Sequence, residues 1–443
     1  MYPLFEQAEE QWDLDRLYAD LSLAKNQVAP HKRAELTEVE RTYLRGLLLE
    51  LSPTEIAKER YTATKTVEVA LSQGIYRYAE VLTERDHSAL ESWRDIASWL
   101  DEAGYRLVWV FINQAQVPEV PILYGRQAEL DQLETWALKE STCRLIAING
   151  PAGIGKTSLA VAFARQVKPH FDGLIWQSLR YKPSLENLLN HWVSQLPIES
   201  LGYSKKTYQN APWYDQLSGV MAYFRKHRCL IVLDNFETIL SSGSILGGYE
   251  AGFEAYEELL KRINEEAHQS CVVVTSRESN RDTRHPRAAK RLELTGLGQE
   301  AANLILEAEN LLEKPYWKKL VQQYRGNPLM LQIVSGTIRD LFDGNVGAFL
   351  KQGKTLISDM RYVLDQQYQR FSGEEKAVFC LLAQQTGPVP IEQIDHPQNL
   401  QAISALLLQR FFVEKSEAGF ALRPLAMEYA RQVCPSITSR ATR

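Results

Sequence analysis

The stretch that decides the fold is LIAINGPAGIGKTSLAVAFARQV, which runs from Leu145 to Val167. It begins with four apolar residues, continues through the glycine-rich segment GPAGIGKT, and ends with the apolar spacing of an amphipathic helix. Glycines let backbone N–H groups curl around a phosphate, and the helix that follows directs its positive N-terminal end to the same place. A strand, a glycine-rich loop and a helix in this order predict a phosphate-binding loop, or P-loop.

Residue types within this loop match the parts of a nucleoside triphosphate site. Lys156 supplies a mobile cation for the terminal phosphates, so we expect it to act in catalysis as well as in binding. Thr157 is expected to ligate Mg²⁺. The other residues of this segment that we expect to contact the nucleotide are Gly150, Gly153, Gly155 and Ser158.

A second part of the site is predicted where the run CLIVLDNFE reaches Asp234 after four apolar residues. A magnesium-bound triphosphate needs an acid at the end of a neighbouring strand, and Asp234 is therefore the second predicted Mg²⁺ ligand. An aspartate at the end of a strand also caps helices, and its pairing with the P-loop favours the metal role. Asn235 follows where many ATPases have a second acid, so the water-activating base is either absent or has moved to Glu237, and hydrolysis is expected to be slow.

The next apolar run, CVVVT, leads to Arg277. A guanidinium at this place is predicted to sense the outermost phosphate during catalysis. The alternative is a solvated arginine that closes a strand.

The pattern along the chain predicts several domains of α/β and all-α type, because 443 residues exceed what one core usually organises. The first third has helical spacing, and helix starts at Ser52 and Thr64 suggest a helix-turn-helix module. From residue 122 short β-branched runs alternate with helices, which predicts a mostly parallel sheet covered on both faces. The predicted division is an N-terminal helical, helix-turn-helix-like adaptor domain at 1–116, a linker at 117–121, a P-loop nucleotide-binding domain at 122–296, a helical subdomain at 297–354, a winged helix at 355–435 and a tail at 436–443.

Composition excludes several classes of protein. With 45% hydrophobic and 24% charged residues, the chain is neither wholly disordered nor a disulfide scaffold. Its apolar runs, such as Leu107–Ile112, are far shorter than the roughly 20 residues that cross a bilayer, and the N-terminus lacks a signal-peptide pattern. We therefore expect a cytoplasmic location, with the five scattered cysteines reduced and with no zinc site.

Five segments in this order resemble the STAND class of signalling P-loop ATPases, and specifically the NB-ARC type of plant immune receptors, apoptosome scaffolds and many bacterial proteins. The segments are LYGRQAEL at 123–130, GPAGIGKT at 150–157, LIVLDN at 230–235, VVVTSR at 272–277 and GNPL at 326–329. The resemblance implies a switch that binds ATP or ADP with Mg²⁺, hydrolyses ATP slowly, and changes conformation or forms a homo-oligomer when ATP is bound.

The resemblance also implies roles for individual residues. Tyr124, Gly125 and Arg126 would border the nucleotide, and Pro328 would cap the adenine, although GNPL has a plain alternative as a helix break. Where the family usually has Met-His-Asp, this chain has Leu-Arg-Pro, so Arg423 would hold the diphosphate; the alternative is an ordinary surface arginine.

The N-terminal segment resembles the helix-turn-helix region that precedes NB-ARC units in cyanobacterial-type proteins associated with MoxR and von Willebrand A partners. The favoured use is binding of a protein partner. The alternative is a nucleotide-regulated transcriptional regulator that reads DNA with the helix from Thr64. Residues 31–85 carry nine basic and nine acidic side chains, which argues against this alternative because cations supply most non-specific DNA affinity.

Overall fold

The computed structural model describes residues 5–434 except 6–7, 9–11, 32, 87–88, 106–109, 121, 141–142, 199–207, 209–210, 244–246, 279–280, 284–288, 354–355, 395–396 and 409. The predicted tail at 436–443 lies outside the described residues. Two compact units make up the chain, Met1–Trp109 and Val110–Arg443. No described helix is long and apolar enough to span a bilayer.

The first unit is helical, as predicted, around a core that includes Leu17, Leu44, Tyr78 and Leu100. A reciprocal capping box between Ser52 and Glu55 begins one of its helices, because the serine accepts the Glu55 N–H and the glutamate accepts from the serine backbone. The helices are α1 (Leu14–Val28), α2 (Glu38–Leu48), α3 (Pro53–Glu59), α4 (Thr64–Ser72), α5 (Ile75–Leu82) and α6 (Asp95–Glu102).

The second unit begins with a sheet of parallel strands in the order β1-β3-β4-β5-β2-β6. Because all strands run the same way, the segments that follow β2, β4 and β5 emerge at one edge of the sheet, where ligands bind in such folds. The strands are β1 (Val110–Ile112), β2 (Leu145–Asn149), β3 (Gly173–Ser178), β4 (Cys229–Asp234), β5 (Cys271–Ser276) and β6 (Ala289–Glu293).

Strands β2 to β6 lie where the sequence predicts them, but β1 differs. The sequence places Val110–Ile112 in the N-terminal domain, ahead of the linker predicted at 117–121. In the structure it pairs with β3, from Val110 opposite Gly173 to Ile112 opposite Ile175, and extends the edge of the sheet. A three-residue strand is too short to give a recognisable alternating pattern.

Helices cover the sheet, and large apolar side chains such as Trp192, Phe224 and Tyr256 fill the core between them. We call Val110–Thr295 the nucleotide-binding subdomain. Its helices are α7 (Gln127–Glu134), α8 (Lys156–Val167), α9 (Leu185–Gln195), α10 (Trp213–Lys226) and α11 (Ala255–Glu265).

Two further subdomains follow in the same unit, and both match the predicted types. The helical subdomain contains α12 (Gln299–Ala308), α13 (Trp317–Gln323), α14 (Pro328–Phe342) and α15 (Val346–Lys351). The winged helix contains α16 (Ser358–Tyr368), α17 (Gly373–Ala383), α18 (Pro397–Leu408), the antiparallel strands β7 (Val413–Ser416) and β8 (Gly419–Leu422), and α19 (Pro424–Val433).

The cysteines differ from the expectation that all are reduced. Cys380 of α17 and Cys434, directly after α19, form a disulfide because the winged helix packs these two helices together. Spacing in the sequence carries no sign of this pairing, since the two residues lie 54 positions apart. Cys143, Cys229 and Cys271 are free and buried, as predicted.

Candidate nucleotide-binding site

The P-loop connects β2 to α8 at the edge of the sheet where the strands end. It borders a cavity of about 320 Å³ between the nucleotide-binding and helical subdomains. Gly153 has a φ of 73°, and a Cβ atom at this position would lie 2.5 Å from Cβ of Leu329. Only glycine allows both this backbone conformation and this close approach of the helical subdomain.

Lys156 is buried at the start of α8 and folds back over the loop. Its ammonium donates hydrogen bonds to the carbonyl oxygens of Gly150 and Pro151, each at 2.9 Å. Burial lowers the pKa of Lys156 to about 8. Within the part of the chain that the structure describes, no carboxylate is in ion-pair contact with this buried ammonium, which fits a group that binds phosphate.

Asp234 ends β4 and lies beside Thr157 of the P-loop, as the sequence predicts for a pair of Mg²⁺ ligands. Asp234 Oδ1 accepts hydrogen bonds from the Thr157 hydroxyl at 2.7 Å and from the Thr275 hydroxyl at 2.5 Å. The other oxygen accepts from the Asn235 amide at 2.7 Å. Burial raises the pKa of Asp234, and the two hydroxyls oppose this effect.

Thr275 therefore has a role that the sequence did not assign to it. Its hydroxyl also accepts a hydrogen bond from the Asn235 backbone N–H at 3.1 Å. One threonine on β5 thus fixes both the carboxylate and the turn that follows it. The sequence places Thr275 at the end of the CVVVT run but gives no sign that its hydroxyl faces Asp234.

Glu237 and Arg277 lie against each other rather than apart. Arg277 Nε lies 3.2 Å from Glu237 Oε1, and the Arg277 backbone N–H donates to Glu237 Oε2 at 3.1 Å. Glu237 is buried, whereas one third of the Arg277 side chain is exposed and lines the cavity. The glutamate carboxylate is thus occupied by the arginine that the sequence predicts as the phosphate sensor.

The GNPL segment closes the cavity from the helical subdomain. Pro328 begins α14 and lines the cavity, as expected for a residue that caps a base. The Leu329 N–H donates to the carbonyl of Gly153 at 3.3 Å, and the Asn327 side chain donates to the carbonyl of Ala152 at 2.9 Å. Asn327 was missed by sequence reasoning, although an asparagine before a proline that starts a helix is a recognisable cap.

Gly326, in the same segment, lets the start of α14 pack against the segment through which the chain enters the helical subdomain. Its φ is 62°, and a Cβ there would lie 2.3 Å from the carbonyl oxygen of Leu297. The Leu297 N–H donates to the Gly326 carbonyl at 2.8 Å. Gly326 is therefore needed for close packing against Leu297 as well as for the break before α14.

Arg126 lines the cavity, but its guanidinium is occupied by the protein. It donates to Glu129 at 2.7 Å, to the carbonyl of Thr295 at 2.8 Å and to the carbonyl of Ile154 at 3.1 Å. The arginine thus ties α7 to the P-loop and to the end of the sheet. It supports the wall of the cavity instead of presenting a free cation.

Arg423 lies elsewhere. It borders a second cavity, of about 330 Å³, between the back of the P-loop and the winged helix, together with Pro151, Ala152 and Phe412. Burial lowers the pKa of Arg423, and its Nε has no hydrogen-bond acceptor among the described residues. Because this residue does not line the nucleotide cavity, contact between Arg423 and a diphosphate stays a prediction that this arrangement does not support.

The structure brings most of the predicted residues together. Some of the predicted residues do not line the nucleotide cavity, although two of them, Asp234 and Glu237, contact residues that do. Those outside the lining are Gly125, Gly150, Asp234, Glu237 and Arg423. The predicted residues that line it are Tyr124, Arg126, Gly153, Gly155, Lys156, Thr157, Ser158, Arg277 and Pro328.

A parallel sheet, a P-loop and an aspartate at the end of a neighbouring strand define the class of P-loop NTPases. Within that class, residues 126–314 match the family model of the NB-ARC domain. This segment is therefore an NB-ARC domain, which confirms the resemblance seen in the sequence. Membership of this family implies nucleotide binding.

Among curated proteins, an uncharacterized WD repeat-containing protein of Nostoc sp. (strain PCC 7120) is 35% identical over 350 residues. The match covers 72% of this chain and 27% of the relative, so the chain spans about a quarter of that protein's length.

Two solved structures are also similar. A STAND protein with a tetratricopeptide repeat sensor from Pyrococcus horikoshii has a TM-score of 0.38 and 20% identity, covering 72% of this chain and 44% of its own. The ORC2 protein of Aeropyrum pernix, solved as ADPNP–ADP complexes, has a TM-score of 0.43 and 16% identity, covering 72% of this chain and 96% of its own.

Proposed function

We propose that this chain is an adenine-nucleotide-dependent signalling switch. It binds ATP or ADP with Mg²⁺ in the cavity beside the P-loop and hydrolyses ATP slowly. It changes conformation or forms a homo-oligomer in the ATP-bound form. The observation that carries the proposal is the convergence of Thr157 and Asp234 within 2.7 Å of each other at the start of α8.

The residues of the cavity fit a nucleotide with its metal. Backbone N–H groups at the N-terminal end of α8 and the Lys156 ammonium would hold the phosphates, and Thr157 and Asp234 would hold Mg²⁺. Tyr124 and Pro328 would border the base. A bound ATP supplies the phosphoanhydride bond whose hydrolysis resets the switch.

Slow hydrolysis is supported by the contacts of Glu237. A general base must reach a water molecule, and the Glu237 carboxylate is bound by both the side chain and the backbone of Arg277. Asn235, at the position next to Asp234, carries no carboxylate. Breaking the Glu237–Arg277 pair is therefore a condition for Glu237 to act on water.

Signalling is assigned to the N-terminal unit, through a protein partner. Its surface carries exposed apolar side chains, among them Val39, Tyr61 and Val69, and residues 31–85 carry equal numbers of basic and acidic side chains. Apolar and aromatic groups suit a protein interface better than a polyanion.

Calorimetric titration of the full chain with ADP and with ATPγS, each with and without Mg²⁺, tests the proposal. We expect binding that Mg²⁺ strengthens in the wild type, and loss of the Mg²⁺ effect in Asp234→Asn. Light scattering of the same samples should show a larger mass or radius with ATPγS than with ADP. Failure of the wild type to bind either nucleotide would rule the proposal out.

A further inference from the structure

A groove of about 490 Å³ lies on the surface of the first unit. One side of it is formed by α4 and the start of α5, and the other by the turn that leads into α6. The residues that give it its chemical character are Glu68, Val69, Tyr76, Leu90, Glu91 and Trp93. We call these six residues the α4 groove.

Apolar and aromatic side chains make up most of the α4 groove. Tyr76, Leu90 and Trp93 are half-buried and pack against the core of the first unit, which fixes their positions. Val69 adds an apolar side chain that is 43% exposed. Tryptophan and tyrosine side chains that are already held in place suit a protein interface, because they offer a large contact area at little further cost in side-chain entropy.

The charge of the α4 groove is negative. Glu68 and Glu91 are exposed on its two sides, and neither forms an ion pair with a described residue. Among the described residues that line the groove there is no lysine or arginine, although the Arg94 guanidinium lies beside it, 4.4 Å from the centre of the Trp93 ring. The groove therefore favours a cationic partner and disfavours a polyanion.

The backbone on both sides of the groove is already hydrogen-bonded. α4 is a helix, and on the other side the Glu91 and Ser92 N–H groups donate to Asp95 Oδ2 at 3.0 and 2.7 Å. A partner therefore meets side chains and not a row of free backbone groups. This arrangement favours a helix laid into the groove over an added strand.

We propose that the α4 groove binds the basic, apolar face of an amphipathic helix from a protein partner. This inference rests on the proposed function, in which the first unit signals through a protein partner. Apolar side chains at helical spacing would pack on Tyr76, Leu90 and Trp93, and flanking lysine or arginine side chains would pair with Glu68 and Glu91. The two carboxylates would select the partner more than they strengthen binding, because exposed ion pairs are weak.

Fluorescence anisotropy of a labelled peptide added to the full chain tests the inference. The probe is a fluorescein-labelled peptide of about 14 residues, built of leucine and lysine with the leucines at helical spacing. We expect saturable binding with a Kd of about 1 to 100 μM at about 50 mM salt. A peptide with glutamate in place of lysine should not bind, and one with the same composition but scattered leucines should bind at least about fivefold more weakly.

Two variants remove the apolar and the charged contacts separately. Val69→Ser removes apolar contact area and should weaken binding of the lysine peptide about threefold to fivefold. Glu68→Gln/Glu91→Gln should weaken it about fivefold at about 50 mM salt. At about 500 mM salt this second difference should nearly vanish, because exposed charges are then screened.

Matched controls alter the same residue types elsewhere in the first unit. Val39→Ser is the control for Val69→Ser, because Val39 lies on α2, is also 43% exposed and does not line the groove. Glu38→Gln/Glu59→Gln removes two exposed acids outside the groove. Both controls should bind the lysine peptide within about twofold of the wild type. All these substitutions are on exposed side chains, so the Tm of each variant should match that of the wild type.

Five outcomes would overturn the inference. Three of them are no saturable binding of the lysine peptide, equal binding of the glutamate peptide, and equal losses in the groove variants and their controls. The fourth is displacement of the peptide by a DNA duplex. The fifth is self-association of the wild type that Val69→Ser abolishes, which would assign the groove to a second copy of the chain.

Nucleotide titration of the same samples separates this inference from the proposed function. A chain that binds ADP but not the lysine peptide refutes the inference and leaves the nucleotide switch standing. A chain that binds the peptide but neither ADP nor ATPγS refutes the switch.

Discussion

Lys156 places an unfavourable charge inside the nucleotide-free protein. Its folded-state pKa of about 8 lies below the ordinary 10.5, so the folded state disfavours the bound proton. Below pH 8 the folded lysine is charged, so its full destabilising effect is present. As the pH rises from about 8 to 10.5, the folded lysine is neutral and the free energy of unfolding increases. We therefore expect Lys156→Met to raise the free energy of unfolding of the nucleotide-free protein at pH 7, by up to about 3 kcal/mol.

Urea unfolding of the nucleotide-free protein at pH 7 and pH 10 checks this expectation. The increase in the free energy of unfolding caused by Lys156→Met should fall to about 1 kcal/mol near pH 10, where the folded lysine is already neutral. The same variant should show no rise in Tm on addition of ADP. Lys261→Met, in an exposed position on α11, is the control and should change neither quantity. A less stable Lys156→Met protein at pH 7 would contradict the argument.

Thr275 lets us test whether the carboxylate of Asp234 is prepared for a metal. Its hydroxyl lowers the pKa of Asp234 against the effect of burial. Thr275→Val should raise this pKa further, and Mg²⁺ binds the charged form. We expect the Mg²⁺-dependent part of ADP affinity to fall about fivefold to tenfold, with the loss beginning at a higher pH than in the wild type.

Titration calorimetry between pH 5.5 and 8 measures both effects. Thr238→Val is the matched control, because the Thr238 hydroxyl donates to the carbonyls of Leu179 and Asn235 in the same turn without reaching Asp234. Equal losses in the two valine variants would show that the effect comes from the turn and not from the carboxylate.

At the scale of elements, the start of α14 combines two functions in one side chain. Asn327 accepts the Met330 N–H as the helix cap, and its amide donates to the P-loop carbonyl of Ala152. Serine preserves a cap but has no amide donor. Asn327→Ser should therefore keep the Tm within a few degrees and lower ADP affinity about threefold to tenfold, the value of about one hydrogen bond.

Asn345 provides the comparison, because it caps α15 by accepting the Ala348 N–H at 2.6 Å and lies away from the cavity. Titration of both variants with a fluorescent ADP measures the affinity, and Asn345→Ser should bind ADP like the wild type. If both serine variants bind ADP like the wild type, the contact between Asn327 and the P-loop does not matter for binding.

The elements also show how far the sequence could predict this structure. The buried strands of the sheet and the start of α8 follow from local pattern, because a fully buried strand and a glycine-rich turn each have a composition of their own. Thr157 and Asp234 could be paired since parallel strands end at one edge. The edge strand at Val110 could not be predicted, because three residues give no period.

The contacts that the sequence left open are long-range and lie between side chains. The pairing of Glu237 with Arg277 depends on the turn after Asp234, which has a left-handed conformation at Asn235. The ion pairs of Glu278 with Arg370 and Arg410 join positions about a hundred residues apart, and single charged residues carry no sign of their partners. The predicted contact of Arg423 with a diphosphate rests on alignment with a family motif. Such an alignment does not show which of the two cavities the side chain borders.

At the scale of the whole molecule, charge decides between the two uses of the N-terminal unit. The chain carries 50 basic and 55 acidic residues, and residues 31–85 have no basic excess. Because counter-ion release from cations drives non-specific DNA affinity, we expect no saturable binding of a 30-base-pair duplex below about 10 μM protein at 150 mM salt, with ADP or ATPγS. Fluorescence anisotropy measures this directly.

A charge-reversed variant makes the negative result informative. Glu38→Lys, Glu59→Lys and Glu68→Lys replace exposed acids of α2, α3 and α4 with cations and add six units of positive charge. If charge alone limits binding, this variant should gain affinity that falls steeply with salt, whereas the wild type should not bind. Wild-type binding tighter than about 1 μM that is lost in Lys65→Ala, at the exposed start of α4, would favour the DNA-binding alternative, since a sequence-reading helix depends on individual side chains and not on net charge.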